Sequence, residues 1–301
     1  MKKQKYWLPI AALILAQIFW GVNTPVIKLG LETVPLPLYL SITLIGGSIL
    51  TTLLTYKKWK PVSPRDLAII TVGSLVGIAL GNVALLMGLK LIPATNASLI
   101  GLFSPFLLFI LSARFLRESM SLKTFVGILI AFLGALIIIG KPWQSSVAGQ
   151  TVVIGSLLVL LDALCGVTET LMLKPVLKRV EPNQLTSINL FVGTLPVAIY
   201  SLQYLDHLSP TQAGRNGYMA MGFNIVAVAA ANCLFFYGLK HKKAQDVGIF
   251  DYVHPIATGT AAWFILGEVP NKNIIIGAGL IFWGIYWAEV SKSTGLKLRH
   301  K

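Results

Sequence analysis

The sequence predicts an all-α integral membrane protein with ten transmembrane helices, arranged as two inverted five-helix repeats. Three observations lead to this fold class. Hydrophobic residues make up 55% of the 301-residue chain and charged residues only 12%, which is about half the charged fraction of a soluble domain. Apolar runs long enough to cross a bilayer recur along the whole chain. The second half of the chain also repeats a pattern of the first half.

The apolar runs define the predicted elements in order. Each is about 17–25 residues long, the length that an α-helix needs to span a hydrocarbon core of about 30 Å. The ten runs lie at residues 7–27, 36–56, 67–89, 94–115, 122–140, 151–173, 183–204, 217–239, 244–266 and 272–290. The first run follows a basic start that resembles a signal peptide, but it is too long for one and lacks a cleavage pattern. We therefore expect it to be retained as the first span.

The distribution of Lys and Arg predicts the orientation. With a cytoplasmic N-terminus, 20 of the 25 basic residues fall in segments predicted to face the cytoplasm, and 5 fall outside. This asymmetry is the positive-inside pattern of helical membrane proteins. It predicts a multi-pass protein of the cell membrane with both termini in the cytoplasm. It also accounts for the net charge of +14 without nucleic acid as a partner.

An internal repeat divides the chain into two five-helix units, residues 1–145 and 146–301. A displacement of 150 residues aligns 81–140 with 231–290 without a gap and gives eleven identities, mostly Gly, Pro, Asn, Glu and Lys. In the first span of each half the displacement is 145. Because five spans is an odd number, the two halves must cross the membrane in opposite directions. Many secondary transporters have this arrangement.

Several repeated residues have structural interpretations. Glycines seven residues apart occupy one helix face and suit close helix packing, whereas a proline inside a span removes a helix hydrogen bond and creates a hinge. The residues with these predicted roles are Gly127, Gly134, Gly277 and Gly284 for packing, and Pro105 and Pro255 for hinges. The repeated acids Glu118 and Glu268 lie just beyond the ends of spans, and we interpret them as pairing or capping residues.

Three stretches carry the repeated pattern most clearly: FWGVNTPVIKLGLE (19–32), residues 88–140, and their second copy at 237–287. In the last two, Ala, Pro, Leu-x-Glu and two glycines recur in the same order. This pattern resembles the ten-span EamA-type branch of the drug/metabolite transporter superfamily. The resemblance implies a ten-helix transporter with a central cavity, which in many members exports amino acids or other metabolites. It does not identify the cargo.

Few ionisable residues lie inside the predicted spans, and these are the candidate functional residues. An Asp near the centre of a span costs about 2.5–3.5 kcal/mol on insertion scales, so such residues usually face a cavity. Asp162 and Glu169 share one face of span six, and Asp251 and His254 share one face of span nine. Both sets have a structural alternative. The Glu169 carboxylate could extend to the membrane interface, and Asp251 and His254 could form a purely structural contact with each other.

Three neighbours complete the predicted substrate- or proton-binding set. Trp20 has no aromatic counterpart in the second half, which favours a place in the cavity. Asn23 shares a helix face with Trp20, although a scaffold hydrogen bond is an alternative role. Tyr252 lies between the two ionisable residues of span nine, but an aromatic side chain in a span is more often a packing residue.

The predicted function is a secondary transporter of small metabolites that works by alternating access, most directly an exporter of amino acids or related compounds. No Lys or Arg lies deep in a span, so a cavity with carboxylates favours neutral, zwitterionic or cationic cargo. Protons are a candidate coupling ion because histidine titrates near neutral pH. No catalytic residue, metal site or cofactor is predicted, and the partners are a small-molecule substrate and the lipid bilayer.

Two other classes remain as alternatives, a membrane-embedded enzyme and a non-transporting channel or sensor. The chain has no HExxH, GxSxG or Walker A motif, and two interchangeable halves serve no evident purpose in an enzyme. Neither a selectivity-filter motif nor a signalling domain is visible. The sequence leaves cargo identity, direction, coupling ion and oligomeric state open.

Overall fold

A computed structural model describes residues 2–89, 91–92, 100–139, 150–207, 210–267 and 272–293, and the regular structure in these ranges is helical throughout. The helices are α1 (Lys2–Leu31), α2 (Leu36–Thr55), α3 (Pro64–Ser74), α4 (Asn82–Leu89), α5 (Ser104–Phe115), α6 (Leu122–Ile139), α7 (Gln150–Val176), α8 (Pro182–Ser201), α9 (Pro210–His241), α10 (Ala244–Val247), α11 (Val253–Leu266) and α12 (Lys272–Ser293). A π-helical segment, Leu75–Gly81, joins α3 to α4, and a 3₁₀ segment, Gly248–Tyr252, joins α10 to α11. Shorter 3₁₀ turns, Tyr56–Lys58 and Leu202–His207, follow α2 and α8.

Six helical segments in the described ranges are long and apolar enough to cross a membrane. They are Trp7–Leu31, Leu36–Lys58, Pro64–Leu85, Val152–Val176, Pro182–Asp206 and Gly214–His241. Shorter apolar helices cover Ser104–Phe115, Leu122–Ile137 and Ile275–Ala288. Of the ten predicted spans, 94–115 is described only from residue 100 onward. These lengths fit an all-α membrane protein.

The helices pack in a small number of long pairs. α6 lies along α12, α1 along α9, and α2 along α8, while α1 also packs on α11 and α7 packs on α4 and α5. The largest apolar core draws on both halves of the chain, and Leu13, Phe109, Leu173 and Phe250 are among its most deeply buried members. Lipid tails are as apolar as these side chains, so close packing and polar contacts have to hold the helices together.

Glycines set the distance between α6 and α12. A Cβ atom added to Gly127 would lie 2.6 Å from the carbonyl oxygen of Gly284, and one added to Gly134 would lie 2.6 Å from the carbonyl oxygen of Gly277. The two distances are equal, and in each contact a glycine of α6 faces a glycine of α12. The backbones of α6 and α12 are therefore in direct contact at two places seven residues apart.

Predicted spans four and nine are interrupted next to their prolines. α5 begins after a turn at Leu102 and Phe103, and Pro105 lies in its first turn. α11 begins after the 3₁₀ segment, and Pro255 lies in its first turn. The sequence predicted a hinge within a continuous helix, whereas the structure starts a new helix at each proline. The first turn is where a missing N–H leaves no hydrogen bond unmade.

Glu118 caps the start of α10. Its carboxylate accepts hydrogen bonds from the backbone N–H groups of Ala244 at 2.9 Å and Gln245 at 3.2 Å. A carboxylate at a helix N-terminus satisfies free donors and complements the helix dipole. The predicted capping role of Glu118 is confirmed, and its counterpart Glu268 lies outside the described ranges.

Two further polar bridges join the halves near the same end of the helices. Asp66, in the first turn of α3, accepts from Arg179 Nη2 at 2.5 Å and from its Nε at 2.9 Å. This hydrogen bond raises the pKa of Arg179 above its usual value. Thr124 of α6 donates to Asp246 of α10 at 2.9 Å. Both bridges connect residues before 145 to residues after it.

The contact between α6 and α12 predicts that alanine is destabilising at one glycine of α12 and is accommodated at another. Gly284→Ala places a Cβ 2.6 Å from the Gly127 carbonyl oxygen, and we expect it to lower the stability by about 1–3 kcal/mol. Gly279→Ala is the matched control, because a Cβ there meets no atom within 4 Å. Thermal unfolding of the purified variants in detergent measures both. Equal unfolding midpoints for the two variants would contradict the packing role.

Candidate functional site

A glutamine of α1 holds the carboxylate of Asp251. Asp251 lies in the 3₁₀ segment, and Gln17 Nε2 donates a hydrogen bond to its Oδ1 at 2.6 Å. Gln17 is only 3% exposed. This donor therefore satisfies a carboxylate that would otherwise be costly to place among apolar helices. The bond ties α1 to the break between α10 and α11.

His254 contacts two threonines instead of Asp251. Its Nε2 lies 3.5 Å from Thr24 Oγ1 and its Nδ1 lies 3.4 Å from Thr258 Oγ1. Asp251 and His254 both contact α1, yet through residues seven apart on that helix, Gln17 and Thr24. Within the part of the chain that the structure describes, no hydrogen bond or ion pair joins Asp251 to His254.

Asp162 lies on α7 against the glycine-rich π-helical segment. Its Oδ1 lies 3.1 Å from the place where a Cβ of Gly81 would stand, and the Cβ of Cys165 lies 3.3 Å from the same point. A side chain at position 81 would therefore press on the carboxylate. The missing side chain of Gly81 therefore makes room for Asp162. Single-turn π segments occur often at functional sites.

Glu169 lies two turns further along α7 and fills the space left by a second glycine. Its Oε2 lies 2.0 Å from the ideal Cβ position of Gly77. Ser74 donates to Asn189 Oδ1 at 2.5 Å, and the Asn189 side chain hydrogen bonds to the Glu169 carboxylate. The other carboxylate oxygen, Oε1, is buried and has no hydrogen-bond partner among the described residues. This orphaned oxygen needs either a proton or a ligand.

Asn23 and Trp20 join α1 to α9. Asn23 Nδ2 donates to Asn224 Oδ1 at 2.5 Å, with both residues buried. The Trp20 ring packs on Phe235 with centroids 5.4 Å apart and planes tilted by 51°. Asn23 Oδ1 is buried without a hydrogen-bond partner in the described chain. The two residues thus share one face, as their spacing predicts.

Tyr252 joins the two interrupted spans. Its hydroxyl donates to the carbonyl oxygen of Leu102 at 3.0 Å, and the residue is 1% exposed within the main core. The hydroxyl is therefore occupied by a backbone carbonyl. This geometry favours the packing alternative for Tyr252 over a direct contact with cargo.

Several polar residues of this region were not predicted, because the candidate residues were chosen mainly among ionisable side chains. Gln17, Ser74, Asn189 and Asn224 are uncharged, yet each supplies a hydrogen bond in the middle of a helix pair. One signal was available in the sequence. The displacement of 145 that aligns the first spans places Gln17 on Asp162, so Gln17 occupies the repeat position of a candidate acid.

Carboxylates buried between long apolar helices are typical of a membrane transport protein. The EamA-like transporter family matches the chain at residues 7–140 and again at 153–289, and the chain belongs to this family. Membership confirms the prediction of a membrane transporter for a small-molecule substrate, and that of a protein that is not an enzyme.

Three relatives align with this chain over most of their length, and each is named as a transporter or an exporter. An uncharacterized transporter of Archaeoglobus fulgidus is 25% identical over 291 residues, which cover 94% of this chain and 98% of that protein. The uncharacterized transporter YvbV of Bacillus subtilis is 28% identical over 274 residues, 90% of this chain and 88% of that protein. The pseudopaline exporter CntI of Pseudomonas aeruginosa is 25% identical over 268 residues, 89% of this chain and 91% of that protein.

A solved crystal structure has the same fold. It aligns with a TM-score of 0.77 and covers 95% of this chain and 97% of its own. The sequence identity is 18%, so the likeness concerns the fold alone. The all-α fold described above is therefore shared with that protein.

The hydrogen bond between Gln17 and Asp251 predicts a stability effect that depends on both residues. Gln17→Leu removes the donor and leaves a buried acceptor unsatisfied, which we expect to lower stability by about 1–3 kcal/mol. Asp251→Asn keeps an acceptor for Gln17 and should cost less. The double variant Gln17→Leu/Asp251→Leu should recover part of the loss, because both polar groups are then replaced. Unchanged thermal unfolding of Gln17→Leu would refute the contact.

The contact between Gly77 and Glu169 predicts a coupled pair. Gly77→Ala would press a methyl group on the carboxylate and lower thermal stability, whereas Glu169→Ala removes the clash. The two changes together should show a coupling energy of about 0.5–3 kcal/mol in a double-mutant cycle. Gly166→Ala on α7 is the control, because a Cβ there meets no atom within 4 Å. Simple additivity of the two changes would count against the contact.

Proposed function

We propose that the protein is a secondary transporter of the cell membrane that exports small neutral, zwitterionic or cationic metabolites, such as amino acids, by alternating access. One observation carries the proposal. Two partly buried carboxylates, Asp162 and Asp251, lie in two related helix junctions, at positions that do not correspond in the repeat. Gln17 donates a hydrogen bond to Asp251 in one junction, whereas no described side chain donates one to Asp162 in the other.

The proposal includes ten spans, with residues 1–145 and 146–301 as inverted five-helix units. The helix pairs support it because they occur in matched sets: α1 on α9 and on α11 corresponds to α7 on α4 and on α5. In the pairs α2–α8 and α6–α12, each helix packs on its own counterpart in the other half. Tyr252 also hydrogen bonds to Leu102, its own counterpart at a displacement of 150. Contacts between counterparts are expected where a two-fold axis passes.

The same relation compares the two junctions residue by residue. Gln17 corresponds to Asp162, and Asp251 corresponds to Gly101. In one junction Gln17 donates to the Asp251 carboxylate. The corresponding positions of the other junction hold Asp162 and Gly101. A Cβ added to Gly101 would meet no atom within 4 Å. We assign Asp162, which accepts no hydrogen bond from a described side chain, as the first contact of a cargo amine or hydroxyl.

The charge of the site supports the proposed cargo class. In the described chain neither Asp162 nor Asp251 has a basic side chain as a partner. A cargo with an ammonium group would supply the missing positive charge, since buried charges are tolerated when paired. An anionic cargo would meet carboxylates without a compensating cation.

Protons are the proposed coupling ion, with Glu169 as their site. Its Oε1 is buried against the π-helical segment without a hydrogen-bond partner among the described residues. A neutral carboxyl fits that place, whereas an unpaired carboxylate would carry a large desolvation cost. Separation of α7 from the glycine-rich segment would admit water and release the proton. His254, whose ring nitrogens lie near the hydroxyls of Thr24 and Thr258, is the second candidate.

The direction and orientation rest on the remaining evidence. A relative is named as the exporter of pseudopaline, which supports outward transport. The placement of 20 of 25 basic residues on one side supports cytoplasmic termini.

Binding and flux measurements on purified protein test the proposal. A thermal-shift screen with amino acids, amines and dicarboxylates should give hits in the first two groups, and a hit should show saturable counterflow in proteoliposomes. Asp162→Asn should weaken its binding at least about tenfold, or 1.4 kcal/mol, while Asp251→Asn should have a smaller effect. Asp206→Asn, which changes an exposed acid in the turn after α8, should have none.

Three results would count against the proposal. The cargo class is wrong if dicarboxylates are carried faster than amino acids and amines. The site is wrong if Asp162→Asn keeps full binding and counterflow. High, unsaturable flux would instead identify a channel.

A further inference from the structure

A groove with exposed apolar walls runs between α2 and α8. It has a volume of about 380 Å³. Ile49 and Leu53 of α2 line one wall, and Ile188 and Phe191 of α8 line the other. Trp59, in the turn after α2, closes one end. Because α2 precedes residue 145 and α8 follows it, the groove lies where the two halves of the chain meet.

The polar groups at the floor of the groove are already used. Ser48 and Ser187 each donate to the carbonyl oxygen of the other at 2.8 Å, and the hydroxyl of Thr52 contacts that of Ser187. The surface left for an occupant is therefore apolar. Leu53 is 65% exposed and Ile49 is 52% exposed, as expected of side chains that face lipid tails.

The end of the groove at Trp59 is basic. Lys57, Lys58 and Lys60 flank this tryptophan and are exposed. Their side chains form no ion pair or hydrogen bond with any described residue. Trp59 Nε1 donates to Thr55 Oγ1 at 3.1 Å, which fixes the indole between the groove and the lysines. Tryptophan and lysine are the residues expected at the level of lipid headgroups.

We propose that this groove binds an acyl chain of an anionic phospholipid and that Lys57, Lys58 and Lys60 bind its phosphate headgroup. The apolar groove alone would suit any lipid chain or a second copy of the protein. The unpaired cations at one end select an amphipathic ligand with a negative head. Such a lipid would contact α2 and α8 together. The inference concerns a surface separate from the cargo site and holds whatever the cargo is.

Quenching of tryptophan fluorescence by brominated lipids tests the groove directly. The purified protein is placed in phosphatidylcholine nanodiscs, and dibrominated phosphatidylglycerol or dibrominated phosphatidylcholine is added at equal mole fractions. We expect the anionic lipid to quench several-fold more strongly at low mole fraction. Trp59→Phe should abolish this difference. Equal quenching by the two lipids would overturn the proposal.

Two pairs of variants separate the headgroup contact from the groove. Lys57→Gln/Lys58→Gln should remove the preference for the anionic lipid, whereas Arg114→Gln/Lys178→Gln makes the same charge change at exposed residues elsewhere and should retain it. Leu53→Phe fills the groove and should reduce quenching several-fold. Leu54→Phe is its control, at a position on the same helix that does not line the groove.

The variants also define how the proposal would fail. If both double variants lose the preference equally, the attraction is a general effect of basic charge. If Leu53→Phe behaves like Leu54→Phe, the headgroup binds without the groove. A dimer in detergent that Leu53→Phe dissociates would show that a second copy occupies the groove instead.

Discussion

The absence of water from the bilayer interior is the constraint that shapes this protein. A polar side chain there must find its partner within the protein or in a ligand. Gln17 with Asp251, Asn23 with Asn224, and Ser74 with Asn189 meet this requirement, and each bond joins two different helices. The polar groups of the candidate site thus also join the helix pairs. Exceptions such as Glu169 Oε1 are informative, because nothing in the described protein offsets their burial.

Repetition separates scaffold from chemistry. Positions that recur in both halves make backbone contacts: Gly127 approaches Gly284, and Gly134 approaches Gly277 at the same distance. Asp162 and Asp251, in contrast, have no acidic counterpart. Under the proposed mechanism, the repeated backbone contacts belong to the scaffold, and the unmatched acids are the positions that distinguish one half from the other.

Hydropathy was enough to predict an all-α membrane protein, because it depends on many residues at once. The cap formed by Glu118 was also predictable, since a carboxylate just beyond a helix can reach a free N–H. The helix starts at Pro105 and Pro255 were not, because a proline is compatible with either a kink or a first turn. The partner of Asp251 was missed for a different reason: sequence spacing relates residues within a helix, and Gln17 lies on another one.

Movement of the two halves has to break some contacts and preserve others. The backbones of α6 and α12 are in direct van der Waals contact at two places. These contacts resist separation, because they are lost as soon as the helices move apart. The bridges from Asp66 to Arg179 and from Thr124 to Asp246 are side-chain bonds at helix ends, where water can replace the lost partner. Opening at that end would therefore cost less than sliding α6 past α12. Under the proposed mechanism, α6 and α12 form the fixed axis, and α1 and α7, which carry Gln17 and Asp162, are the helices that move.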